Sequence, residues 1–90
     1  MFGLTSQIRR AATSISANIA EGYGRENTGS FIQFLRISQG SLKELETHLL
    51  LSHRVKIVPE DAIAPLVARC GALGRMLRTM IRSLEKKTKR

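Results

Sequence analysis

Between Ser30 and Ser52 the chain reads SFIQFLRISQGSLKELETHLLLS, and Phe31, Leu35, Ser38, Leu42, Leu45 and Leu49 recur there in alternating steps of four and three. That spacing puts all six on one face of a helix and on no single face of a strand. Phe34 widens the seam into the broad apolar stripe of a helix that faces a core. No proline interrupts the stretch, and Gly40 is the one glycine within it. A long central helix over 28–54 follows, and the rest of the chain has to supply what packs against it.

Two flanking segments share the periodicity. Leu4, Ile8, Ala11, Ala12, Ile15 and Ile19 predict a first helix over 4–21, whose many Ser and Ala residues permit contact on more than one side. Asn18, at the margin of that stripe, is expected to bond a neighbouring backbone group. Gly22-Tyr23-Gly24 reads as the stop, because glycine takes the left-handed cap conformation cheaply. Asn27 or Thr28 is the expected N-cap of the central helix. Pro59 suits the first turn of a third helix over 59–86, and Glu60 and Asp61 suit its positive N-terminal end. Ile63, Leu66, Val67, Cys70, Leu73, Leu77, Ile81 and Leu84 form its seam, with Cys70 a small packing residue. Gly71 and Gly74 suggest a further close approach. Short connections make successive helices antiparallel. The expected fold is all-α, an up-down antiparallel bundle of three helices in a single domain over 1–90, ending in a basic tail over 86–90.

Composition sharpens this. With 90 residues, 42% hydrophobic and only 4% aromatic with no tryptophan, the core must be built mainly from Leu, Ile and Ala. So small a helical domain is marginal alone, and oligomerisation is a common remedy. On the side of the central helix away from the seam lie Gly40, Ile37 and Leu51, where a mid-helix glycine costs roughly 1 kcal/mol against alanine. These three are the expected oligomer interface, packing on another subunit or another helix of the bundle. One cysteine excludes an intrachain disulfide and fits a reducing compartment. No charged-then-apolar leader opens the chain and no apolar run approaches the roughly 20 residues of a membrane span, so the expectation is a cytoplasmic protein with no membrane association.

The net charge of +8 is concentrated: residues 69–90 carry +7 and residues 1–68 only +1. At about 100° per residue, Arg75, Arg78, Arg82, Lys86 and Lys89 fall in one stripe pointing away from the apolar seam. Arginine suits bidentate phosphate contacts, so the stripe reads as an edge that tracks an RNA or DNA backbone. It reads equally as a solvated face that keeps an oligomer soluble. No aromatic is interleaved with the cations, which argues against base stacking and for salt-dependent backbone binding. Arg9 and Arg10, away from their own apolar stripe, could assist. Catalysis finds little support. His48 and His53 lie five apart on different faces, Glu44 one turn before His48 reads as a surface pair, and Cys70 has no evident base. The expectation is a non-enzymatic protein with no cofactor and no metal.

LTSQIRRAATSISANIAEGYGR followed by FIQFLRISQGSLKELETHLLL resembles the small bacterial four-helix-bundle family named for proteins encoded in intervening sequences of 23S ribosomal RNA genes. The resemblance is dense from Phe2 to about Leu51, and the last helix matches only in character. It implies a ring-like homo-oligomer, typically a homopentamer. The family is similar to the accessory variability protein of diversity-generating retroelements, a basic pentameric barrel that works with a reverse transcriptase and binds nucleic acid. By resemblance, then, the partners are further copies of the chain, RNA or DNA, and a reverse transcriptase or other protein. Biochemical function is unassigned for most members, and the family has no catalytic residue to transfer. Its Arg9, Arg10, Asn18, Glu21, Gly22 and Gly40 are all present.

Three departures from the family pattern stand out. Ser30 replaces a customary glutamate, weakening a capping box, and Lys56 replaces a customary glycine, weakening a helix stop. The family's usual amphipathic helix before Phe2-Gly3-Leu4 has no counterpart in the 90 residues. Three helices without it should leave an open apolar groove, filled by a neighbouring chain or by a segment of a longer gene product.

Overall fold

The computed structural model describes residues 2–88 and contains three α-helices: α1 (Phe2–Tyr23), α2 (Thr28–Arg54) and α3 (Glu60–Thr88). α1 and α3 each pack on α2, and among the described residues their backbones do not come close to each other. Both pairings are antiparallel. Ile15 meets Ser38 while Gly22 meets Phe31 and Phe34, and Leu42 meets Gly74 while Arg36 meets Glu85. The molecule is a flat layer, 50 × 21 × 13 Å along its principal axes.

The seam on α2 forms the centre of this layer. Leu35, Leu42 and Leu49 are buried against Ile15 of α1 and against Ile63, Cys70, Leu77 and Ile81 of α3. Leu35 and Leu77 retain 0% and 1% of their accessible surface. Burying a leucine so completely contributes about 2 kcal/mol. Ser38, in the same seam, is equally buried, and its hydroxyl donates to the Ile15 carbonyl at 3.1 Å. Ser14 and Ser41 share a second hydrogen bond between α1 and α2 at 2.8 Å. Asn18 donates to the Ser14 carbonyl at 2.8 Å, the local backbone bond expected of it.

The α1–α2 connection differs from expectation in one respect. α1 ends inside Gly22-Tyr23-Gly24, but at Tyr23 and without the left-handed glycine expected there, since among the described residues no glycine has a positive φ. The role of Gly22 is closeness. A Cβ at Gly22 would lie 2.7 Å from Phe34 Cβ and 3.0 Å from Phe31 Cδ1. Tyr23 meets Phe31 edge-on at 6.2 Å between ring centroids, and Arg25 covers the Phe34 ring. Asn27 caps α2, its side chain accepting from the Ser30 amide at 2.7 Å.

The α2–α3 connection turns at Lys56, whose φ of 64° is the left-handed conformation that glycine adopts more cheaply. α3 begins at Glu60, one residue later than predicted, because Pro59 stands before the helix and its carbonyl accepts from the Ala62 and Ile63 amides. His53 closes this corner. Its Nε2 lies 2.8 Å from Glu60 Oε2 and its Nδ1 3.2 Å from the Val58 carbonyl. Pro65 sits inside α3, where its missing N–H leaves the Asp61 carbonyl without a helical donor.

Candidate nucleic-acid interface

Arg75, Arg78, Arg82 and Lys86 are all exposed along one edge of α3. At about 1.5 Å rise per residue they place a cation roughly every 5 Å over about 16 Å of helix. Lys89, the last member of the predicted stripe, lies outside the described residues. Glu85 interrupts the edge, but its carboxylate is taken up by Arg36 of α2, so one cation of the neighbouring helix is tied to α3.

The antiparallel register gives this edge a second wall. Arg36 and Lys43 of α2 face Arg75 and Arg78 of α3 across a trough of about 600 Å³. Gly40 and Gly71 line it too, and their missing side chains keep it open. Nothing lies within 4 Å of where a Gly40 Cβ would be, and Gly71 meets only its own helix's Arg75 guanidinium at 3.5 Å. Gly74 makes an ordinary 3.5 Å contact with Leu42. Within the chain neither Gly71 nor Gly74 is tightly covered, and the tight glycine is Gly22. One carboxylate, Glu46, also lines the trough and lies 3.7 Å from Lys43. Sequence reasoning missed Arg36 and Lys43. Their signal was a separation of seven, which puts both on one flank of α2.

The other predicted residues fall elsewhere. Arg9 and Arg10 are exposed on α1, no residue of which lines the trough, so they stand apart from it. Gly40 lies at the trough's rim, next to an outer face of α2 where Ile37 and Leu51 are each 44% exposed. No helix of this chain packs on Gly40, which removes that half of the sequence expectation. The anticipated apolar groove exists. Ile8 of α1, Leu45 and Leu49 of α2, and Leu66 and Leu73 of α3 surround about 310 Å³. Cys70 is buried at its base, and burial followed by the nearby Glu46 carboxylate pushes its thiol up from the ordinary value. His48 is not paired as foreseen: its Nδ1 is buried without a hydrogen-bond partner. Among the described residues no cluster of metal-ligating side chains occurs, and no helix is long and apolar enough to cross a membrane.

The family model for 23S rRNA-intervening sequence proteins matches residues 1–79. The chain belongs to this family. No curated protein matches it. Among solved structures it is similar to a protein of unknown function from the S23 ribosomal protein family of Bacteroides thetaiotaomicron VPI-5482. The two share 27% identity at a TM-score of 0.87, over 90% of this chain and 75% of that one. The all-helical fold of this 23S rRNA-intervening sequence protein is thus the fold of a known structural relative, and the relative's own function is unknown.

Proposed function

We propose that this family member is a non-enzymatic, cytoplasmic accessory protein that assembles as a ring-like homo-oligomer, a pentamer by family resemblance, and binds the backbone of RNA or DNA. The contact is the α3 edge formed by Arg75, Arg78, Arg82 and Lys86, continued by Lys89 and assisted by Arg9 and Arg10. The observation that carries this reading is the alignment of exposed cations along one helix edge, in a chain whose excess charge is almost all in its last quarter. A reverse transcriptase or another protein would act alongside it.

Labelled RNA and DNA titrated at two salt concentrations test the reading. Four phosphate contacts predict a loss of roughly fiftyfold in affinity for a single strand, and roughly 150-fold for a DNA duplex, between about 50 and about 200 mM salt. Replacing Arg75, Arg78 and Arg82 together with Ala should abolish binding; no binding at low salt rejects the proposal.

A second reading, a structural or protein-interaction module with no nucleic-acid role, is favoured by the exposed Ile37–Leu51 face and the apolar groove. Light scattering on Gly40→Leu examines the assembly itself: a subunit packed on Gly40 predicts a smaller particle, and an unchanged mass removes Gly40 from the interface.

A further inference from the structure

We infer that the nucleic acid is a single strand whose phosphates lie inside the α2–α3 trough, held by Arg36 and Lys43 on one wall and by Arg75 and Arg78 on the other. This rests on the nucleic-acid reading above and narrows it to a place and a form of ligand.

Four cations from two helices line one concavity, Arg36 sharing its guanidinium with Glu85, whereas an outer edge of α3 alone would engage phosphates from one side only. The trough runs along the groove between two neighbouring helices, a concavity that an extended phosphodiester chain can follow, whereas a rigid duplex rests on its rim. Its 600 Å³ is on the scale of sites that enclose a small ligand, here a few linked phosphates and sugars. Gly40 and Gly71 matter because a larger side chain at either would occupy the path of the strand. No aromatic side chain lines the trough, so bases find no stacking platform there and affinity comes from the backbone. Glu46 works against the ligand. Its carboxylate faces the trough at the Cys70 end and repels a phosphate there.

Fluorescence anisotropy with a labelled oligo(U) strand and an RNA duplex of the same length, on the full chain, tests the inference. The single strand should bind more tightly than the duplex at equal salt. Lys43→Gln should weaken single-strand binding and lower the slope of log affinity against log salt by about 0.7. Gly71→Leu, which changes no charge and exchanges glycine for a good helix former, should weaken binding while raising the melting temperature. Glu46→Gln should tighten binding by about threefold. Light scattering confirms that each variant keeps the parent's mass. If Arg75→Ala and Arg78→Ala weaken binding but Lys43→Gln and Gly71→Leu do not, the phosphates run along the outer edge. The trough is then wrong and the edge reading survives. Duplex bound as tightly as single strand overturns the inference as well. Binding of neither form defeats both readings together.

Discussion

At the α1–α2 joint a glycine lets two backbones close together, whereas at the α2–α3 joint glycines hold a space open. Gly22 is buried under Phe31 and Phe34, and around it the joint is completed by the hydrogen bonds of Ser14, Ser38 and Ser41. Gly40 and Gly71 are lined by nothing but solvent and a flexible arginine, and the joint beside them is held by the Leu35–Leu77 seam. A residue type that looks uniform in the sequence therefore has two structural roles. The neighbouring helix decides which one applies.

Four substitutions probe this contrast, taken from the largest expected effect downward. Leu77→Ala removes the most buried side chain of α3 and should cost about 3 kcal/mol in urea unfolding. A loss below about 1 kcal/mol would mean that the seam is not what holds α3 to α2. Gly22→Ala forces a methyl group to within 2.7 Å of Phe34 Cβ and should cost about 2 kcal/mol. Gly40→Ala carries the same chemical change with the opposite sign. It should gain about 1 kcal/mol from helix propensity, seen as a rise in melting temperature. A fall instead would show that another surface closes on Gly40 in the assembled protein. Lys56→Gly, which relieves the left-handed backbone at the second corner, should gain somewhat less, roughly 0.5–1 kcal/mol.

The helices were legible because the 3.6-residue repeat is a local property, and α2 spans the predicted 28–54. Asn27 and Asn18 were legible for the same reason, since a cap and an i−4 bond involve only near neighbours. Gly22 was misread because its partner, Phe34, lies on another helix, and twelve residues of spacing say nothing about interhelical distance. The exposed edge of α3 could be drawn from a single helix. Its opposite wall required the α2–α3 register, which depends on how Leu42 and Gly74 meet. Arg36 and Lys43 became part of the candidate site only once that register was known.

Among the described residues the backbones of α1 and α3 do not come close to each other, and each helix packs chiefly on α2. Either outer helix can in principle detach while the other stays docked. Amides in α2 should then exchange with solvent only at the rate of complete unfolding, whereas those of α1 and α3 report smaller, separate openings. Hydrogen exchange would thus divide this layer into two cooperative halves that share one helix.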